Sequence, residues 1–558
     1  MRSTVWSASS VAIAAVVACA LAPARPAAQA AAAAASPAAE VDRVFSRFSA
    51  ATPGCAVGVG VNGAPVLARG YGTADLEHDV PIGPETIFEA GSVSKQFTAA
   101  AVMALVHDGR VSLDDPVRKY IPELPDYGTP LTIRHMLTHT SGLRDWGSLA
   151  GIAGWPRTTR VHTHAHVLEI VGRQKATNFV PGTHWSYSNT GYNLAAILVS
   201  RVSGRSFADF TKARLFDPLG MTKTSWRDDH TRIVKGRAIG YDETDGVFHT
   251  DMPFETVHGN GGLLTTVGDL LRWTEHLQHP AAGDAADVAA MQTPTAFSGG
   301  SGHGYGLGLM LDTRRGVRQI DHSGSTAGYL AHLVRYPDQG VAVAVLCNVD
   351  SAAATQKAYE VADLYLARTT TLAPPIAARH TLTAPELARV EGLYRSRLDG
   401  RPVAIVRDGA TLRLDRGPAL HAQSATQFET ASGQSWTFDG TGHARSSDRY
   451  DVVDYDKVPA AAAPSAAARA ALAGRYTSDE VETTLEVVDD GGTLVVTRRP
   501  DTRLPLTPVY ADAFTAPGLG LVIVRRDAAG AVTALSVVQD RVWDLRFARQ
   551  PAGATASR

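Results

Sequence analysis

From Phe97 to His107 the chain runs Phe-Thr-Ala-Ala-Ala-Val-Met-Ala-Leu-Val-His, almost uncharged and built of strong helix formers. That predicts a buried helix with Gly109 as its stop. Upstream, Ser36-Pro37 has the form of an N-cap followed by proline at the first helical position, opening a helix that carries Val41, Val44, Phe45 and Phe48. The apolar runs Cys55 to Val61 and Pro65 to Tyr71 flank Asn62-Gly63, the signature of a tight two-residue turn, and predict a β-hairpin. The spacing Gly58-x-Gly60-x-x-Gly63 within it imitates a dinucleotide fingerprint, but a second strand follows where a phosphate-binding helix is required. Leu113 to Leu263 reads as helices and loops. Strands resume at Gln319 to His322, Tyr329 to Arg335 and Val341 to Cys347, with the turn signal Pro337-Asp338-Gln339-Gly340, and a helix from about Ala352 to Ala367 closes the unit.

Thr369-Thr370-Thr371-Leu372-Ala373-Pro374-Pro375 is a linker by composition, and beyond it the pattern repeats itself. Gly392, Tyr394, Ser396, Asp408, Thr411 and Leu412 recur as Gly474, Tyr476, Ser478, Asp490, Thr493 and Leu494, always 82 residues on (394 to 476). Short strands separated by Asp-Gly or Gly-Gly turns predict one small antiparallel barrel per copy. The chain therefore divides into a first unit at 36–368, a linker at 369–385, a β-unit at 386–458, a second linker at 459–468 around Pro459 and Pro464, and a second β-unit at 469–550.

Composition narrows the partners. A chain of 558 residues is too long for one core. A net charge of −2 without a basic block argues against nucleic acid. Residues 1–30 read as a secretory signal: Arg2 gives the positive start, Val11 to Ala22 an apolar core too short to span a bilayer, and Ala28-Gln29-Ala30 a small-residue cleavage site. The mature protein is then expected in the periplasm or outside the cell, with no membrane span. A lipobox reading of Val16-Val17-Ala18-Cys19 competes, and would tether the protein through lipid on Cys19. Cys55 and Cys347 remain after cleavage; in an oxidising compartment they can pair, and the alternative is two small buried hydrophobes.

The candidate chemistry begins where the apolar helix begins. Ser92-Val93-Ser94-Lys95 puts a lysine three residues after a serine, on the same helical face, where its neutral amine can take the hydroxyl proton. Tyr187-Ser188-Asn189 and His322-Ser323-Gly324 follow in that order. Together with Gly91 to Phe97, His135 to Leu143, Pro181-Gly182 and Gly261-Gly262-Leu263, this set resembles the class C β-lactamase-like branch of the serine β-lactamase and penicillin-binding protein superfamily over about residues 40–368. The resemblance implies an α/β (α+β) domain in which an antiparallel sheet, built from both ends of the unit, carries an inserted helical lobe. Its first and last strands are then antiparallel neighbours, which brings the start of Cys55 to Val61 opposite the end of Val341 to Cys347.

The resemblance also assigns roles. Ser92 is the nucleophile, Lys95 and Tyr187 handle its proton, and Tyr187 protonates the leaving group. An ordinary lysine or tyrosine, with a pKa of roughly 10, is no base at neutral pH, so each must be shifted downward by the other's charge or by burial. Asn189 holds Lys95 and binds substrate. Ser323, Gly324 and Ser325 form the strand edge along which substrate lies, with Gly324 allowing close approach and the Ser325 N–H completing an oxyanion hole with that of Ser92. His322 departs from the pattern, standing where many relatives have the lysine of Lys-Thr-Gly; a neutral histidine offers hydrogen bonds more readily than charge.

An enzyme unit followed by two barrels resembles the D-aminopeptidases of this superfamily. A loop of the last barrel is then expected at the active site, and Val509 to Gly520, with Asp512 as partner for a substrate ammonium, is the candidate. The reading is thus a secreted serine hydrolase forming an acyl-enzyme on a small peptide, amide or ester. A D-stereospecific aminopeptidase or related peptidase leads; carboxylesterase, β-lactamase and DD-carboxypeptidase are the enzymatic alternatives, and a peptidoglycan-fragment binding module the non-enzymatic one. No cofactor and no metal is expected: His135 and His139 lack the Glu of His-Glu-x-x-His, and His162, His164 and His166 precede an apolar run without a carboxylate ligand.

Overall fold

The computed structural model describes residues 36–156, 160–300 and 302–551, so the expected leader and Cys19 lie outside the described residues. The first unit is built on a six-stranded antiparallel sheet ordered Met310–Arg314, Val317–Thr326, Tyr329–Tyr336, Val341–Cys347, Cys55–Val61 and Ala64–Tyr71. The start of the chain thus completes a sheet made by the end of the unit. Cys55 stands directly opposite Cys347, and the two form a disulfide with Cα atoms 4.0 Å apart. The hairpin turns at Asn62 and Gly63, both at positive φ as a two-residue turn of this hand requires.

The period-two pattern separates the two faces. Cys55, Val57, Val59, Val343, Val345 and Cys347 pack on one side against Val41 of the helix Pro37–Val44, Phe45 at its C-cap, and Val361 and Leu366 of the helix Ala354–Leu366. Ser36 caps the first of these helices through its side chain, with Pro37 at the first position. Ala56, Ala344 and Leu346 face the other way, toward the helix Val267–Gln278 and the helical lobe. A Cβ on Gly58 would lie 3.1 Å from Val267 Cβ, so the glycine of the apparent dinucleotide fingerprint admits a helix against the sheet. In chain order between the first two strands of the sheet and its last four come the buried helices Ser94–His107 and Asn189–Ser203, which belong to the core of the lobe.

Each β-unit opens with a short helix, Ala384–Val390 or Ala466–Leu472, and then its repeated Gly-x-Tyr. The two tyrosines do the same work: Tyr394 Oη donates to Val390 O at 2.8 Å and Tyr476 Oη to Leu472 O at 2.7 Å, each satisfying the end of its helix. The first unit is a closed eight-stranded barrel from Gly392–Ser396 to Val452–Val458. The second has nine strands and stays open along one seam, between Thr502–Pro505 and Thr507–Tyr510. Among the described residues no helix is long and apolar enough to cross a membrane.

Candidate active site

The regular helix begins only at Ser94; Ser92 occupies a single 3-10 turn, Gly91–Val93, just before it. Gly91 makes that turn at φ +49°, and a Cβ there would lie 2.5 Å from the Ser325 N. A Cβ on Gly324 would lie 2.1 Å from the Ala90 carbonyl oxygen and 3.0 Å from the Ser92 N. The Ser92 turn and the strand Val317–Thr326 therefore press together backbone to backbone, which gathers the N–H groups of Ser92 and Ser325 in one place. The close approach that Gly324 permits is to this turn; the substrate, expected there from sequence, is not what demands the glycine. Ser94 locks the arrangement, donating to Gly91 O and accepting from Leu263 N–H.

Lys95 is fully buried and makes three directional contacts. Its Nζ lies 3.0 Å from Ser92 Oγ, 2.9 Å from Asn189 Oδ1 and 2.6 Å from Asn260 O. The Tyr187 ring centroid is 4.8 Å from the same Nζ. Burial, opposed by the neighbouring Ser92 and the charge of Arg541, pushes the Tyr187 hydroxyl well above its ordinary value, the reverse of the downward shift expected from sequence, so the resting group is the phenol. Two buried side chains fix Tyr187-Ser188-Asn189 through its backbone: His139 Nδ1 accepts from Ser188 N–H at 3.1 Å and Asp145 Oδ2 from Asn189 N–H at 2.8 Å. The His139 ring lies 4.2 Å from that of Tyr187, and burial reinforced by Lys95 keeps it neutral.

His322 joins this cluster, but both ring nitrogens are engaged. Nδ1 lies 2.7 Å from Ser323 O, a carbonyl that can only accept, so Nδ1 carries the proton and Nε2 accepts from Tyr305 Oη at 2.9 Å. Burial, with the charge of Lys95 second, lowers its pKa to about 4. It is a neutral strut. Strand pairing of Val317–Thr326 with Met310–Arg314 stops at Asp321, so among the described residues 322–326 have no strand partner on that side, and Gly324 and Ser325 lie against the turn that carries Ser92.

The last barrel does reach the site, but through a different segment from the one expected. Val509 to Gly520 forms a paired hairpin turned toward the first barrel, where Tyr510 Oη donates to Gly400 O at 2.6 Å. Asp512, at its turn, is held by Arg526 through two nitrogens and does not approach Tyr187. The approach is made by the hairpin of Val532–Gln539 and Val542–Arg549, whose tip places the Arg541 guanidinium 4.7 Å from the Tyr187 ring centroid. Arg144, buried beneath it, binds Glu480 at 2.7 Å and the carbonyls of Trp543 and Asp544. The first barrel docks alongside: Tyr450 stacks on Trp185 at 4.2 Å, and Asp451 accepts from Trp185 N–H at 3.1 Å.

The other histidines have local duties. His135 and His166 sit in capping boxes, and His164 Nε2 lies 3.0 Å from His258 O. Of the supporting residues, Ser94 and His139 lay within the sequence motifs, and Asp145 precedes a run that reads as a helix start. Nothing in the pattern distinguishes Asn260, Tyr305 or Arg541 from ordinary loop, strand and turn residues.

Comparison with known proteins agrees with this geometry. The Beta-lactamase family model matches residues 41–367. A D-aminopeptidase of Brucella anthropi is 27% identical over 503 residues, 87% of this chain and 93% of its own length. Penicillin-binding protein 4* of Bacillus subtilis is 29% identical over 316 residues, 51% of this chain and 68% of its own. Among solved structures, the octameric penicillin-binding protein homologue from Pyrococcus abyssi superposes with a TM-score of 0.55 at 26% identity, covering 75% of this chain and 99% of that one. The D-amino acid amidase from Ochrobactrum anthropi SV3 shares the fold with a TM-score of 0.50 at 24% identity, over 59% of this chain and 97% of its own. With the family model spanning more than half the chain and a serine–lysine–tyrosine cluster at its centre, the protein belongs to the Beta-lactamase family of serine hydrolases.

Proposed function

We propose that this hydrolase is an exported D-stereospecific aminopeptidase or related peptidase working through a Ser92 acyl-enzyme. The observation that carries the mechanism is the Lys95 Nζ at 3.0 Å from Ser92 Oγ, with the Tyr187 ring 4.8 Å from the same Nζ, beside a strand edge that has no strand partner among the described residues. Lys95, as the free amine, takes the Ser92 proton while Oγ attacks the substrate carbonyl. The N–H groups of Ser92 and Ser325 receive the developing oxyanion. Tyr187 gives its proton to the leaving nitrogen, the C–N bond breaks, an ester forms on Ser92, and Lys95 returns a proton to the phenolate. Water then attacks the ester by the reverse relay. Asn189 holds Lys95 through Oδ1 and offers Nδ2 to the substrate.

The choice of a D-aminoacyl substrate is supported by similarity to a D-aminopeptidase over 87% of the chain. Export is supported by the sequence of residues 1–30 and by the Cys55–Cys347 disulfide, a bond that persists in oxidising compartments. The test is a panel of D- and L-alanine p-nitroanilide, p-nitrophenyl butyrate and nitrocefin, run with a Ser92→Ala control. Turnover of the D-anilide over its L-enantiomer, lost in Ser92→Ala, is expected. Turnover confined to the butyrate ester would make the protein a carboxylesterase, and labelling without turnover a binding module.

A further inference from the structure

Arg541 is a cation left without a partner at the most sensitive place in the molecule. Its backbone does the docking: the Arg541 carbonyl accepts from Asp145 N–H at 3.2 Å and from Asn178 Nδ2 at 3.1 Å, while Trp543 N–H donates to Asn178 Oδ1 at 2.8 Å. The side chain takes no part in this. It is half-buried, its guanidinium carbon lies 4.7 Å from the Tyr187 ring centroid, and among the described residues the guanidinium has no hydrogen bond or ion pair. Every carboxylate around it is committed elsewhere. Asp540 pairs with Arg401 at 2.6 Å, Asp544 with Arg525 at 2.8 Å and Arg546 at 2.7 Å, and Glu480 with Arg144 at 2.7 Å. The two oxygens of Asp145 accept from Ser148 N–H and Asn189 N–H. A planar guanidinium with its donors unspent, next to the group that protonates the leaving nitrogen, is matched by a carboxylate.

We propose that Arg541 binds the free carboxylate of the leaving amino acid, so that the preferred substrate is a dipeptide whose first residue is D and whose second ends the chain. The assignment rests on the acyl-enzyme reading above, because Tyr187 marks the leaving-group side. His322, neutral and bonded at both nitrogens, cannot supply that cation; the second barrel supplies it across the domain interface.

The test compares D-Ala-Gly with D-Ala-Gly amide, which differ only in the charge of the leaving group. The unmodified protein should favour the acid in kcat/KM by about tenfold to a hundredfold, the size of a charge-assisted hydrogen bond. In Arg541→Gln that ratio should fall to near one, and Arg541→Lys should keep part of it. If Arg541 only stabilises Tyr187, both substrates drop together and the ratio survives, which overturns the proposal. Should Arg541→Gln not fold, competition against D-alanine p-nitroanilide in the unmodified protein decides: D-Ala-Gly must inhibit at lower concentration than its amide, and equal inhibition refutes the assignment. Failure to turn over any D-aminoacyl compound would sink the D-aminopeptidase reading and this assignment with it, whereas equal turnover of acid and amide sinks this assignment alone.

Discussion

Acid should weaken the catalytic domain through His322, and replacing that residue by glutamine should remove part of the effect. The ring is 1% exposed, donates from Nδ1 to Ser323 O and accepts at Nε2 from Tyr305, so protonation would strip Nε2 of its acceptor role inside a site that already holds Lys95. Its pKa accordingly falls from 6.5 to about 4. Between these values the unfolded chain binds a proton that the folded chain refuses, so stability rises with pH across that window. The full stability is present above pH 6.5, declines as pH falls, and the loss levels off below about 4. At about 1.4 kcal/mol per pH unit the whole window is worth about 3 kcal/mol. His258 and His303, lowered by burial to about 3 and about 4, act in the same direction but are present in both proteins and cancel in the comparison. The assay is chemical denaturation followed by near-ultraviolet circular dichroism at pH 7 and pH 4.5 for the unmodified protein and His322→Gln. The unmodified protein should lose about 2 kcal/mol more than the variant between the two pH values. Equal losses would show that His322 does not resist protonation in the folded state.

Lys95→Ala and Tyr187→Phe should each lower turnover of the D-anilide by orders of magnitude, and the double variant should lose less than the two combined, because the pair acts as a unit; steady-state kinetics of the four proteins checks this. Gly324→Ala should slow covalent labelling of Ser92 by a fluorophosphonate, since the new Cβ, 2.1 Å from Ala90 O, forces the strand away from the nucleophile's turn, at a stability cost of about 1–3 kcal/mol measured by denaturation. Reduction of the isolated protein should add the mass of two hydrogens by intact mass spectrometry, and the double variant Cys55→Ser, Cys347→Ser should be less stable by about 2–4 kcal/mol, the disulfide closing a loop of 292 residues in sequence.

The sheet and the Ser92–Lys95 pair were legible because each is written in short-range pattern. Alternation at Cys55 to Val61 and Val341 to Cys347 sets two faces, the Asn62-Gly63 turn fixes a register, and a serine and lysine three apart on a helix start must be neighbours. Tyr187 and Asn189 came from motif order, and the lobe does gather them onto Lys95 and Ser92. What the pattern could not carry was which residues serve the site from a distance. Asn260 contributes a backbone carbonyl, and a carbonyl has no sequence signature. Gly324 looked like a substrate cradle because a glycine records only that something comes close, and here the visitor is the Ala90 carbonyl.

The two β-units carry the same lesson at larger scale. The 82-residue repeat was readable from Tyr394 and Tyr476, whose hydroxyls close equivalent helix ends, yet it describes how each barrel is built and nothing of how it is used. Both copies dock with the hairpin before the last strand, and both tips present Asp-Arg: Asp448-Arg449 in the first, Asp540-Arg541 in the second. The environments then separate them. Arg449 meets Asp312 at 2.5 Å and its carbonyl receives Gly304 N–H at 2.5 Å, so it is spent on holding the barrel to the sheet's edge strand. Arg541 meets no carboxylate, and its hairpin is secured through backbone atoms and through Arg144 beneath it. Sequence places the same dipeptide at both tips. Only the catalytic domain's choice of where to put an acid makes one arginine a clamp and leaves the other facing Tyr187 with its charge still to be answered.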